Sequence, residues 1–327
     1  MKKKIAILGS TGSIGENTLK IIKSDKKNFD VVLLSTNKNI NRVIKQAKEF
    51  KVKNVIINDL KSFQKAKLKI KNTKIKIFNK FNIFNKFFKR KNDFVMCSIT
   101  GLDGLQPTLE SIKHTKNILI ANKESIICGW ELIKKELIRY KTNFIPVDSE
   151  HFSIWSLLKN NKASDIDKIY ITASGGPFLN LPKSKFKKIA IKKALKHPNW
   201  KMGKKISIDS ATLMNKLFEV IEAKNIFNID YKKIFVLVHP DSYVHAIIKF
   251  KNGLTKILIH DTSMKIPIFN GIYFNDNNKK ISSKEIDFKK LNSLNLMKPD
   301  IQKFPALKIL NLLPNKSSLF ETILISV

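Results

Sequence analysis

The sequence predicts an α/β protein of two successive domains: a parallel sheet with helices on both faces, then a smaller α+β domain. Three observations carry this expectation. Short apolar runs alternate with helix-period segments through residues 1–148, the rhythm of parallel strands joined by helical crossovers. A glycine-rich turn stands between the first apolar run and the first helical segment. Beyond Ile169 the alternation stops, and four strand-like runs surround one helical segment. The length of 327 residues accommodates two domains, at about 100–200 residues each.

In chain order, residues 4–8 read as a buried strand ended by Gly9, 14–23 as a helix and 29–34 as a second strand. Residues 41–50 are helical and 54–57 extended; 94–99 read as a strand, 108–113 lie on a helix and 117–121 form a strand. A helix within 125–140 and a strand over 143–147 complete the first domain, 1–148. The second, over 149–275, is expected to hold strands at 168–172, 234–238, 244–250 and 255–259 around a helix from about 211 to 224. Residues 276–327 are polar and irregular at first and end in an apolar segment. Residues 61–91 form an insert rich in Lys, Asn and Phe with no acidic residue. Basic residues interleaved with aromatics can bind a single nucleic-acid strand; the plainer reading is a weakly specified helix and strand that turn their phenylalanines inward.

Composition narrows the function classes. The 43% hydrophobic and 27% charged contents fit an ordinary globular chain. No apolar run approaches the ~18 residues of a membrane span. The basic start is followed by only four apolar residues before Gly9, short of the roughly 7–15 of a signal peptide. Cys97 and Cys128 sit in apolar sequence and read as buried free thiols, without a disulfide framework. A cytoplasmic protein without membrane attachment is expected. The net charge of +36 comes almost wholly from lysine, the only arginines being Arg42, Arg90 and Arg139. Specific nucleic-acid readers depend on arginine for bidentate contacts. Lys, Asn and Ile are inflated together along the chain, which fits AT-rich codon bias, so no specific nucleic-acid partner is expected.

Gly9-Ser10-Thr11-Gly12-Ser13-Ile14-Gly15 follows the first strand and opens the first helix. Glycines there permit a tight turn and a close approach of backbone to pyrophosphate, and the helix N-terminus attracts the anion. The first domain is therefore expected to be Rossmann-like and to bind a dinucleotide. An NAD-binding chain usually places an acid near the end of the second strand. Here that strand runs into Ser35-Thr36-Asn37-Lys38-Asn39; Lys38 can pair with a 2′-phosphate, so NADPH is expected.

Asp148, Ser149, Glu150 and His151 follow a strand of the first domain. Adjacent carboxylates repel each other unless a cation or a proton intervenes, and hard oxygen ligands favour magnesium or manganese. The same residues also fit a helix cap with a solvated acid. After Asp209 and Ser210, a helix carries Asn215, Lys216 and Glu219 at spacings that share one face. Ser210 is read near that helix's start, where a phosphate could use backbone N–H groups. Glu222, on the same face, is read either as a ligand or as a partner of a neighbouring lysine. Ser174-Gly175-Gly176-Pro177 is either a phosphate-cradling or a simple strand-ending turn. The loop from His197 through Trp200 and Met202 to Gly203 can close over a ligand. His239 and His245 are taken as core or surface histidines.

Together these motifs resemble the 1-deoxy-D-xylulose 5-phosphate reductoisomerase family over residues 3 to about 312. Ala121-Asn-Lys-Glu124, Pro146-Val-Asp-Ser-Glu-His151, Ser174-Gly-Gly-Pro-Phe178, His197-Pro-Asn-Trp200, and Ile208-Asp-Ser-Ala-Thr212 with Met214-Asn-Lys216 stand in the family's order after the glycine motif. The resemblance implies NADPH contacts from Thr11, Gly12, Ser13, Ile14, Asn37, Lys38, Asn39, Asn122, Glu124 and Gly203. It implies a divalent metal (magnesium, manganese or cobalt) on Asp148, Glu150 and Glu219, with catalysis by these and Lys123. Substrate contacts are implied for Lys123, Ser149, Glu150, Ser174, His197, Ser210, Asn215, Lys216 and Glu219, with Trp200 and Met202 in the closing loop. The implied partner is a small sugar phosphate and the implied assembly a homodimer. The implied reaction rearranges 1-deoxy-D-xylulose 5-phosphate and reduces the aldehyde to 2-C-methyl-D-erythritol 4-phosphate. The family's small C-terminal helical domain is expected to be absent, and Leu217 and Ser263 replace the usual glycine and aspartate. A noncatalytic remnant that keeps NADPH binding is the alternative expectation.

Overall fold

The computed structural model describes all residues except 72, 89, 201, 202, 277, 315–318 and 327. The chain divides into two units: Met1–Val147 with Ile268–Asp276, and Asp148–Pro267 with Asn277–Val327.

The first unit runs β1 (Lys3–Leu8), α1 (Ser13–Ser24), β2 (Phe29–Thr36), α2 (Ile40–Glu49), β3 (Asn54–Ile57), α3 (Leu60–Lys69), β4 (Lys76–Phe78), α4 (Phe84–Phe87), β5 (Asn92–Cys97), α5 (Leu105–Ile112), β6 (Thr115–Ile120), α6 (Lys123–Tyr140) and β7 (Asn143–Pro146). Its strands form one sheet in the order β4-β3-β2-β1-β5-β6-β7, every pair parallel. Ile5, Ile7, Leu33, Leu34, Ile118 and Leu119 are completely buried, as strands covered on both faces require. Strand order reverses beside β1, between β2 and β5, and the crevice beyond the carboxyl ends there is where open α/β sheets bind ligands. The insert over 61–91 supplies α3, the edge strand β4 and α4. Phe84 is its one phenylalanine among the buried core residues, packing edge-on to His114 with ring centroids 6.1 Å apart. Phe63, Phe78 and Phe81 are half-buried, so the aromatics turn inward less completely than expected.

The second unit contains α7 (Ser149–Leu157), β8 (Ile166–Ala173), α8 (Ile191–Ala194), α9 (Lys204–Ala211), α10 (Met214–Phe227), β9 (Ile234–Val238), β10 (Val244–Phe250) and β11 (Thr255–Ile259). α11 (Lys265–Ile272), α12 (Phe288–Asn292) and α13 (Leu319–Ser326) follow. The sheet order is β11-β10-β8-β9, with β8 parallel to β9 and β10 antiparallel to both β8 and β11. Both α7 and α10 pack against this sheet. Ile169, Ile171, Ala246 and Ile248 are fully buried. Register aligns Ile257, Ile247, Tyr170 and Phe235 in a row across the other face, and Ile257 and Phe235 are exposed there.

Two expectations are corrected. The single helix read over 211–224 is two helices, broken at Thr212 and Leu213. Leu213 takes φ +58°, an unfavourable region for a branched residue. Its side chain is buried with Ala173, Phe304 and Leu307, and that burial offsets the strain. Ser210 consequently lies near the end of α9, not at the start of α10. In addition, the second unit is not continuous through residue 275. Residues Ile268–Asp276 belong to the first unit, where the Tyr273 hydroxyl donates to Asp25 at 2.7 Å and its ring meets Phe29 edge-on. No helix among the described residues is long and apolar enough to cross a membrane.

Candidate active site

At the carboxyl ends of β1 and β2, a cavity of about 220 Å³ is lined by Gly9, Thr11, Gly12, Thr36, Asn37 and Ser98 among others. Its floor requires glycine. Gly9 has φ +81°, and a Cβ there would lie 2.6 Å from the Ser98 carbonyl oxygen. At Gly15 a Cβ would come within 2.5 Å of Gly9 O and Ser10 Cα, so the first turn of α1 rests directly on the loop. Gly12 is the N-cap of α1 and Ser13 its first residue. The cap makes no side-chain hydrogen bond, which leaves the orphan N–H groups of this end to an anion. The loop is held from below by a network that the sequence reading missed. Ser10 donates to Gln46 Oε1 (2.8 Å), Gln46 returns a bond to Ser10 O (3.0 Å), and Gly9 N donates to Ser35 Oγ (2.8 Å).

Asn37, Lys38 and Asn39 are exposed after β2, and the Asn39 side chain also caps α2 through Arg42 N at 3.3 Å. Asn122 caps α6, accepting from Ser125 N at 2.6 Å and donating to Ile99 O and Gly101 O at 2.6 and 3.0 Å. Lys123 and Glu124 begin that helix and are buried. Gly203 lies in the second unit, as the N-cap of α9. Met202 lies outside the described residues.

The carboxylates converge within the second unit. Asp148 is the N-cap of α7 but makes no side-chain capping bond, which removes the helix-cap alternative. Asp148, Glu150 and Glu219 each offer an oxygen within 4.8 Å of the others. The Lys216 ammonium donates to Glu150 at 2.7 Å and also to Glu219. Ser149 Oγ donates to Glu150 at 2.6 Å, and the Asn215 amide donates to Glu219. Burial pushes the Glu150 carboxyl up, but the Lys216 charge and the bonds from Lys216 and Ser149 outweigh it and bring it down to about 2. Burial also opposes the charge on Lys216; Glu150 and Glu219 overcome this and raise it. Three carboxylates against one ammonium leave net negative charge in a cluster with hard-oxygen donors, which suits a divalent cation. α7 and α10 are tied together by His151, whose Nε2–H donates to Glu219 O at 2.9 Å. Its buried Nδ1 has no hydrogen-bond partner and stands 4.0 Å from Glu222. The sequence had offered ligand or lysine partner for Glu222; the structure adds the buried imidazole.

The turn after β8 backs onto the end of α9. Gly176 has φ +66°, and a Cβ there would stand 2.8 Å from Ser210 O, so a side chain would force Ser174 and Ser210 apart. His197 Nδ1 accepts from Asn199 N and Trp200 N at 3.1 and 3.0 Å. The proton is therefore on Nε2, which donates to Ser174 Oγ at 2.9 Å. Burial and the Lys216 charge push His197 down to about 4, so it is neutral at pH 7. The two histidines left as core or surface are both buried, and His245 is part of the surroundings of Trp200. It meets the indole edge-on at 6.0 Å and stacks on His260 at 3.6 Å. No sequence spacing signals this pairing, because it arises from the register of β10 with β11.

The geometry agrees with comparisons to known proteins. Residues 5–129 match the model of 1-deoxy-D-xylulose 5-phosphate reductoisomerase, and 144–227 match the model of that enzyme's C-terminal domain. A protein of this name from Pelagibacter ubique is 64% identical over 326 residues, covering 99% of this chain and 84% of the relative. One from Clostridium tetani is 40% identical over 94% of this chain and 80% of the relative. The Zymomonas mobilis reductoisomerase solved with NADPH superposes with a TM-score of 0.86 at 31% identity, over 95% of this chain and 80% of that one. A reductoisomerase solved with NADPH, fosmidomycin and magnesium gives 0.85 at 31%, over 95% and 79%. With an identity of 64% over nearly its whole length, and a glycine loop and carboxylate cluster to match, the chain belongs to the 1-deoxy-D-xylulose 5-phosphate reductoisomerase family.

Proposed function

We propose that this chain converts 1-deoxy-D-xylulose 5-phosphate to 2-C-methyl-D-erythritol 4-phosphate with NADPH and a divalent cation. The carrying observation is the convergence of Asp148, Glu150 and Glu219 around a buried lysine. Asp148, Glu150 and Glu219 would hold the cation. When bound, it supplies Lewis-acid polarisation of the substrate's carbonyl and hydroxyl oxygens during the carbon-skeleton rearrangement. Ser174, His197, Ser210, Asn215 and Lys216 would hold the substrate, most of them at its phosphate. His197 suits a donor role there, since its proton is already fixed on Nε2. Lys216 neutralises Glu150 and Glu219 in this structure, and pairing of those carboxylates with a cation would release its ammonium to the phosphate. Lys123, Ser149 and Glu150 would contact the reacting end. Thr11, Gly12, Ser13, Ile14, Asn37, Lys38, Asn39, Asn122, Glu124 and Gly203 would bind NADPH, with Lys38 on the 2′-phosphate.

The reading extends to assembly and place. The exposed row of Ile257 and Phe235 with Tyr170 gives the second unit's sheet an apolar outer face suited to a homodimer. The free thiols Cys97 and Cys128 suit a reducing cytoplasm. Product identification tests the function. Incubation with the sugar phosphate, NADPH and magnesium should yield the branched methylerythritol phosphate in equal amount to the NADPH oxidised. Recovery of unaltered sugar phosphate, or of a reduced straight-chain sugar, would contradict the reading.

A further inference from the structure

The segment 197–200 carries two groups of the proposed site, His197 and Trp200, on a stretch without regular secondary structure between α8 and α9. A single side chain joins it to the body of the unit. The Asn199 amide nitrogen donates to Pro240 O at 2.6 Å and to Ser242 Oγ at 2.9 Å. Both acceptors belong to the turn between β9 and β10. That turn is itself fixed: His239 N donates to Ala173 O at 2.7 Å, Ser242 N donates to His239 O at 3.0 Å, and Ser242 is held at φ +50°. Three residues further on, His245 receives the edge of the Trp200 indole, and its Nε2–H donates to His260 O at 3.0 Å. On the other side of Asn199, His197 reaches Ser174 while its Nδ1 accepts the N–H groups of Asn199 and Trp200. Moving Asn199 therefore moves both His197 and Trp200.

We infer that Asn199 is a positioning residue: its amide clamps the segment 197–200 to the β9–β10 turn, setting His197 on Ser174 and Trp200 on His245 so that the site is formed before the sugar phosphate arrives. This rests on the reductoisomerase reading for its substrate, though not for the clamp itself. The chemistry suits a latch that still opens. The amide is neutral, its acceptors are one carbonyl and one hydroxyl, and the region is only partly buried. Two such bonds together shift a closed-to-open ratio by roughly ten- to hundredfold, enough to order the segment and too little to trap it.

The test uses Asn199→Ala, Ser242→Gly and the double variant. Glycine removes the hydroxyl while tolerating the positive φ of Ser242. Four quantities are measured on each protein: KM for the sugar phosphate, kcat, the NADPH dissociation constant, and the rate of tryptic cleavage at Lys196, Lys204 and Lys205 without substrate. Asn199→Ala should raise KM by about tenfold with a much smaller change in kcat. It should leave NADPH affinity unchanged and speed cleavage by a similar factor. Ser242→Gly should move KM and cleavage less, and the double variant should be no worse than Asn199→Ala alone, since both changes remove one contact. Wild-type cleavage in Asn199→Ala, or effects that simply add in the double variant, would overturn the clamp. If the wild-type chain does not turn over the sugar phosphate, the reductoisomerase reading fails, and the cleavage rates of the four proteins still decide the clamp.

Discussion

Lys38, Glu150 and Cys97 show how differently single residues declare themselves. Lys38 was legible because an acid is missing where the second strand ends, and its exposed ammonium leaves it open to a 2′-phosphate. Lys38→Glu should weaken NADPH binding by about ten- to hundredfold, the range for a charge-assisted contact, and leave NADH binding much less affected. Fluorescence titration of both cofactors measures this, and an equal loss for the two would remove Lys38 from the 2′-phosphate. Glu150 was legible as half of a carboxylate pair, but its state was not. Only the fold reveals that Lys216, 66 positions away, reaches it and keeps it ionised. Cys97 was read as a buried thiol and is one; burial pushes it up to about 12. Iodoacetamide should leave Cys97 unmodified in the native protein and alkylate it after unfolding, as peptide mass mapping would report. Cys128, read the same way, is only half-buried.

Among the elements, those with a local signature were readable and those set by tertiary packing were not. Gly9 and Gly15 announced the loop between β1 and α1, since no other residue fits their surroundings. Gly15→Ala would drive a methyl into Gly9 O and Ser10 Cα, destabilising the fold by about 1–3 kcal/mol, the usual range for overpacking. NADPH affinity should fall with it, because the loop must shift; a denaturant melt and a titration on one preparation test both. The break between α9 and α10 was invisible in sequence, because it depends on Leu213 being drawn in beside residues as distant as Phe304. The segment around His197 carries a pH signature. Its folded value is about 4 against an ordinary 6.5, so the folded chain binds this proton less readily than the unfolded chain. The stabilising contribution is complete above pH 6.5 and is lost as pH falls towards 4. Replacing His197 with Gln should flatten stability over that window, measured as the denaturation midpoint against pH. An unchanged slope would mean that other groups govern it.

At the scale of the whole molecule, the strand–helix alternation made the first sheet legible, since its seven strands follow a parallel pattern of short apolar runs. The return of Ile268–Asp276 to the first unit was not, because the Tyr273 contact with Asp25 spans 248 positions and leaves no local pattern. The proposed dimer belongs to this scale as well. Phe235→Asp on the outer face of the second unit's sheet should shift the sedimenting species from dimer towards monomer, and a wild-type monomer at every concentration would discard that interface. The central claim is that the three carboxylates of α7 and α10 make an NADPH-dependent, metal-requiring reductase of this chain. Its most direct measurement is the loss of NADPH absorbance on adding 1-deoxy-D-xylulose 5-phosphate, with and without magnesium, for the wild type and Glu219→Gln. The account predicts oxidation only with the metal, and a loss of several kcal/mol of charge stabilisation in the variant, about a thousandfold in rate, while both proteins bind NADPH equally. NADPH binding without any turnover in the wild type, or undiminished turnover in Glu219→Gln at low magnesium, would contradict it.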